Sequence, residues 1–206
     1  MLPGSLADSA AGPTSLVQDS PGDTLRVCRW RFNPGRFTLK TIQIRQMVHA
    51  NICVRDMDRS VPFYEMLGFE KFADQIFAEG AGVWRGLGLD SNRRFRAVFM
   101  KIPGDKPVPF LDIIQFLDRP TAGEAYPALD HVGIARLCFE VPDIDAAARH
   151  LADHGVEFVG PVSPYETAAG VRPEGVEARF VCFRDPDGTV IEYAQFARDA
   201  LDVLEG

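Results

Sequence analysis

The residues able to do chemistry fall on one side of a set of short strands. Side chains alternate along a strand. Alternation assigns Ile52, Val54, Leu137, Phe139, Val141, Ile191 and Tyr193 to a face packed on helices. It assigns His49, Asn51, Cys53, Arg136, Cys138, Glu140, Glu192 and Ala194 to the opposite face. The segment Leu111-Asp112-Ile113-Ile114-Gln115-Phe116 aligns with Ile191-Glu192-Tyr193-Ala194-Gln195-Phe196, so Asp112 takes the place of Glu192 (192 − 112 = 80). One face thus gathers an imidazole, carboxylates, thiols and a guanidinium. Burying such groups is costly unless they bind a cation, a ligand or one another, which makes this set the default site.

The elements that must position these residues come from a tandem repeat. Val54, Asp56, Met57, Asp58, Gly68, Phe69 and Glu70 match Val141, Asp143, Ile144, Asp145, Gly155, Val156 and Glu157 at one offset (141 − 54 = 87). Two copies of one unit each leave an apolar face for the other to cover. In the first copy, residues 47–54 read as a strand, and Asp58 is the expected N-cap of a helix with Pro62 in its first turn. Val61, Tyr64 and Leu67 recur at helical spacing, and Gly68 suits a left-handed stop. Apolar segments 69–77, 83–89, 95–102 and 110–116 are then expected as strands. The second copy repeats the order: strand 135–141, helix 145–154, strands 158–162 and 178–183, and strand 189–196. A Pro- and Gly-rich loop over 163–177 is long enough to be a lid, and Asp185-Pro186-Asp187-Gly188 is a hairpin turn.

Composition bounds the partners. The 206 residues are 46% hydrophobic and 25% charged, ordinary for a globular chain, and no apolar run is long enough to cross a bilayer. A formal charge of −7 argues against nucleic acid or an anionic membrane as partner. Cys28, Cys53, Cys138 and Cys182 have no Cys-x-x-Cys spacing, so buried free thiols in a reducing cytoplasm are expected. Residues 1–40 are rich in Gly, Pro, Ser, Ala and Asp without a period, and are expected to be disordered. Asp8, Asp19 and Asp23 argue against a transit peptide there.

Three pieces carry a resemblance: residues 49–69, residues 133–145, and Phe183-Arg184-Asp185-Pro186-Asp187-Gly188-Thr189-Val190-Ile191-Glu192-Tyr193. In this order and duplication the chain resembles the vicinal oxygen chelate superfamily, the glyoxalase, bleomycin-resistance and extradiol-dioxygenase group. The resemblance implies an α+β fold of two paired βαβββ modules enclosing one cleft, with module one at 47–116, a linker at 117–133, module two at 134–196 and a tail at 197–206. It implies metal ligands at His49, Asp112 and Glu192, with Zn, Ni, Co, Mn or Fe as the divalent ion, and a catalytic role for Glu192 and His49. Arg136 stands where the family pattern has a second His (49 + 87 = 136), and a guanidinium cannot ligate a metal. A unit charge about 5 Å from a dication costs about 6–7 kcal/mol at an effective dielectric of about 20.

Three readings stay open at this point. In the first, the metal activates a small-molecule substrate, as in a glyoxalase-like lyase or isomerase or a related dioxygenase, with Arg136, Asn51, Cys138 and Glu140 contacting that substrate. In the second, Arg136 pairs with Glu192 or Asp112, and a metal-free cleft binds a small molecule, as a bleomycin-resistance protein does, or runs acid–base chemistry. In the third, these residues form a satisfied polar network without chemistry. The expected partner throughout is a small molecule, and a homodimer is one assembly the resemblance allows.

Lesser candidates are read as surface or loop residues. His150 and His154 have a metal-ligand spacing but no intervening Glu, and His131 has the wrong parity relative to Arg136. Arg93, Arg94 and Arg96 suit steering of an anion or a solvated loop.

Overall fold

The computed structural model describes residues 43–77, 83–89, 93–104, 107–165 and 178–197. The expected disordered stretch, most of the 163–177 loop, nearly all of the C-terminal tail and Cys28 lie outside the described residues. The chain divides into the units Met1–Ile44 and Arg45–Gly206, and all the elements below belong to the second.

The first module runs β1 (His49–Cys53), α1 (Met57–Met66), β2 (Glu70–Phe77), α2 (Val83–Gly86), β3 (Phe95–Lys101) and β4 (Phe110–Phe116). The second runs β5 (Leu137–Glu140), α3 (Ile144–Asp153), β6 (Ser163–Pro164), β7 (Ala178–Arg184) and β8 (Val190–Phe196). Each module builds one four-stranded sheet, in the orders β1-β4-β3-β2 and β5-β8-β7-β6. The first strand of each lies parallel to the last, with Asn51 opposite Asp112 and Cys138 opposite Glu192. This is the paired βαβββ architecture.

Each helix is anchored by the same two devices. The Asp56 carboxylate accepts from the backbone N–H groups of Asp58 and Arg59, and that of Asp143 accepts from Asp145 and Ala146. The first helical N–H, that of Met57 or Ile144, donates to a glutamine side chain of the module's last strand, Gln115 or Gln195, at 3.1 Å in both cases. These bonds satisfy N–H groups that a helix start leaves without an intrahelical partner.

The helix-facing residues of both sheets meet in one core. Ile52, Val54, Leu111 and Ile113 from the first sheet, Val181, Phe183, Ile191 and Tyr193 from the second, and Tyr64, Ile144 and Leu151 from the helices belong to one buried cluster. The modules are also pinned together by polar contacts. Tyr64 Oη donates to the buried Asp185 carboxylate at 2.9 Å, and Tyr193 Oη donates to the Leu67 carbonyl at 2.8 Å. On the exposed rim, Arg55 and Arg59 both pair with Asp187.

Several sequence expectations are corrected. The N-cap of α1 is Asp56, not Asp58, so Pro62 lies past the first turn, inside the helix. Residues 83–89 hold a short helix rather than a strand, and two glycines, Gly86 and Gly88, separate its apolar residues. The 158–162 strand reduces to one bridge, Phe158 with Phe183, and the paired strand starts only at Ser163. Pro161, lacking an N–H, interrupts the ladder between them. Cys53 and Cys138 are exposed, and only Cys182 of the described cysteines is buried.

Candidate functional site

Strand register delivers the anticipated polar residues as two separate sets, one per sheet. On the first sheet His49 and Asn51 extend from β1 beside Asp112 on β4. The His49 ring packs on Phe110 at a centroid distance of 5.3 Å. Asn51 Nδ2 donates to the Asp112 backbone carbonyl at 3.4 Å. Asp112 Oδ1 is buried and has no hydrogen-bond partner. Burial raises the Asp112 carboxyl pKa, against the opposing influence of the Asn51 amide and the His49 ring.

The second set is organised around Glu192, whose side chain is 1% exposed. Register places it between Cys138 on β5 and Cys182 on β7. Arg136 Nε forms an ion pair with Oε2, Tyr165 Oη donates to Oε1 at 2.5 Å, and Cys182 Sγ lies 3.5 Å from Oε2. Burial alone would lift the Glu192 pKa. The bonds from Tyr165 and Cys138, the Arg136 charge and the Cys182 thiol outweigh it and hold the carboxyl below its ordinary value. Partial burial of its sulfur beside this carboxylate pushes the Cys138 thiol up to about 12, although the residue as a whole is exposed, and burial pushes the Cys182 thiol up to about 11. Burial, with Glu192, also raises the Tyr165 phenol. At neutral pH Glu192 is therefore ionised while the phenol and both thiols keep their protons.

The sequence alone does not single out Tyr165, which falls in the expected 163–177 loop. Ser163 pairs with Phe180, Phe180 with Ala194 and Cys182 with Glu192, so Ser163 and Tyr165 share the Glu192 face. The Tyr165 N–H bonds the Ala178 carbonyl at 2.8 Å, and its ring lies 4.3 Å from that of Phe180. A strand of two residues carries no period, so only the register of its neighbours reveals the tyrosine.

Arg136, Cys138 and Glu140 line a cavity of about 440 Å³ whose other walls include Phe69, Met100, Phe110 and Leu111. That volume is in the range of small-molecule sites, and a mostly apolar wall with a few polar groups is their usual character. A larger groove, about 550 Å³, lies against α3 beside Arg149 and Phe158, and none of the expected site residues borders it.

The donor set does not fit a divalent metal held by His49, Asp112 and Glu192. Among the described residues no three His, Cys, Asp or Glu side chains are close enough to hold one ion. Glu192, the carboxylate expected to ligate, has its oxygens engaged by a cation and by hydrogen-bond donors. Other candidates are structural. His150 Nε2 and His154 Nδ1 each approach a backbone carbonyl, of Met66 and His150 respectively, and His131 stacks on Tyr126. Arg96 ties Asp74 on β2 to Asp58 on α1, while Arg93 covers the Phe116 ring at 4.7 Å.

The family model for the glyoxalase/bleomycin resistance protein/dioxygenase superfamily matches residues 46–193. The chain belongs to this superfamily. Among its relatives is the uncharacterised Escherichia coli (strain K12) protein YaeR, 29% identical over 152 residues that span 72% of this chain and 95% of YaeR. A glyoxalase-family protein from Bacillus cereus is 25% identical, with a TM-score of 0.63 over 77% of this chain and 98% of that one. The trypanothione-dependent glyoxalase I of Leishmania major is 20% identical, with a TM-score of 0.51 over 79% of this chain and 94% of that one, and shares the fold. In this superfamily member, the position expected to be the second histidine ligand is the guanidinium that pairs with Glu192.

Proposed function

We propose that this protein is a metal-free small-molecule binder, whose cavity beside β5 takes up a ligand without turning it over. The observation that carries this reading is the Arg136–Glu192 ion pair. The guanidinium supplies the positive charge that a metal would bring to the carboxylate, and it has no lone pair with which to ligate one. A second support is the protonation pattern around Glu192. Its pKa is depressed, while those of Tyr165, Cys138 and Cys182 are raised, so none of these four groups is tuned to exchange a proton near neutral pH. Arg136 and Tyr165 then act by holding Glu192 in place, and the apolar wall of Ile102, Phe110 and Phe139 supplies the contact surface.

The test is trace-metal analysis of the full chain purified without added metal. It is paired with calorimetric titration of a neutral aromatic probe, naphthylmethanol, and recovery of the probe after incubation. Sub-stoichiometric metal, saturable binding and intact probe are expected. Divalent metal retained at one equivalent, surviving dialysis, would overturn the reading.

One observation favours a second reading, a metal-dependent lyase, isomerase or dioxygenase. Asp112 Oδ1 is buried without a partner beside His49, which leaves a carboxylate and an imidazole together on the first sheet. If these are the remnant of a chelate, Arg136→His should raise affinity for Zn, Co or Ni more than about tenfold, that is, by more than about 1.4 kcal/mol. Unchanged affinity in that variant would remove this alternative.

A further inference from the structure

We infer that the cavity beside β5 selects amphipathic organic cations: an apolar body seated against Ile102, Phe110 and Phe139, with a protonated amine at Glu140. This rests on the proposal that the cavity is the ligand site. The charge balance of its lining points to a cation. Arg136 and Glu140 are the ionisable charged residues along the wall. The Arg136 charge is already met by Glu192, and its guanidinium also reaches the Tyr165 hydroxyl at 3.5 Å. Glu140 is exposed and makes no hydrogen bond or ion pair among the described residues. The wall therefore presents one unmatched negative charge at the end of an apolar chamber.

Strand geometry adds a length. Residues 136 and 140 are four steps apart on an extended backbone, about 13 Å at about 3.3 Å per residue. A body of two fused rings fits between the neutralised Arg136 end and the Glu140 carboxylate. Glu140 lies opposite Ala194, whose methyl group offers no competing donor. The chain's formal charge of −7 also favours the approach of cations.

Three probes of matched shape test the inference by calorimetry on the full chain at neutral pH and low salt: naphthylmethylammonium, naphthylmethanol and naphthoate. The ammonium should bind about tenfold more tightly than the alcohol, and naphthoate more weakly than either. Glu140→Gln should erase the ammonium advantage and leave the alcohol unchanged, while Glu140→Lys should turn the preference toward naphthoate. Thermal melts would confirm that both variants fold. Naphthoate binding as tightly as the ammonium, or an ammonium advantage that survives Glu140→Gln, overturns the charge selection alone. If none of the probes binds, or if Ala50→Leu, which narrows the chamber, leaves all three affinities unmoved, the cavity is not the ligand site and both proposals fall.

Discussion

Arg136→Met isolates the interaction on which the proposed site depends. Methionine keeps an unbranched side chain of similar reach but removes the cation from Glu192. Removing one partner of a buried ion pair costs about 3–5 kcal/mol. Two features reduce that figure. The Arg136 side chain is 37% exposed, so solvent screens part of the attraction, and Tyr165 and Cys182 still contact the carboxylate after the change. The expected loss is about 1–2 kcal/mol at neutral pH, or a fall in Tm of about 2–8 °C for a folded body of this size. The pH dependence has a definite sign. The folded Glu192 pKa lies below its unfolded value, so its favourable contribution is present above the ordinary carboxylate range and is lost as pH falls through the folded value. In the variant, burial acts with less opposition and the folded pKa rises. The difference between parent and variant is thus full at pH 7 and closes as acid protonates Glu192 in both. Urea unfolding from pH 7 down to below the ordinary carboxylate range measures it, with Glu192→Gln and the double variant completing a cycle. A coupling below about 0.5 kcal/mol, or a difference that does not narrow in acid, would refute the pair as an energetic unit.

Three further outcomes are expected. Tyr165→Phe removes a hydrogen bond to a charged acceptor, so stability should fall by about 1 kcal/mol and the Glu192 pKa should rise, read from its carboxyl carbon resonance during titration. Gly188 has φ +92° in the turn before β8, and a Cβ there would lie 3.3 Å from that of Ala125, so Gly188→Val should lower stability by at least about 1 kcal/mol; a variant melting with the parent would contradict the turn. Deleting residues 1–40 should leave unfolding of the remaining chain within about 1 kcal/mol of the parent, because that segment has no apolar period with which to pack; a larger loss in denaturant melts would give the segment a structural role.

What could be read from the sequence follows from which signals are local. The faces of β1 and β8 were legible because one side of each strand meets the core: Ile52, Ile191 and Tyr193 are buried among apolar neighbours, as alternation requires. Helix starts were legible to within two residues, since Asp56 and Asp58 are both competent caps, and only the backbone geometry selects Asp56. Residues 83–89 misled because a short apolar run without a long period fits a strand or a helical turn equally. The partner of Arg136 was one of two carboxylates by parity, and register on the second sheet selects Glu192. Separation of the His49–Asp112 set from the Arg136–Glu192 set depends on how the two modules pack, which no period within either module encodes.

The duplicated anchoring of the helices gives this molecule an internal reference copy. Asp56 and Asp143, and Gln115 and Gln195, perform the same tasks at equivalent places, with matching lengths for the bonds the glutamines accept. The polar-face positions differ between the same two copies: His49 answers to Arg136, Asn51 to Cys138 and Asp112 to Glu192. Residues that start a helix are identical in the two copies, while those on the polar sheet faces are not. Each half therefore shows what the scaffold demands of the other, and the differences between them fall at positions the scaffold leaves free, where the first module carries a histidine and the second a cation.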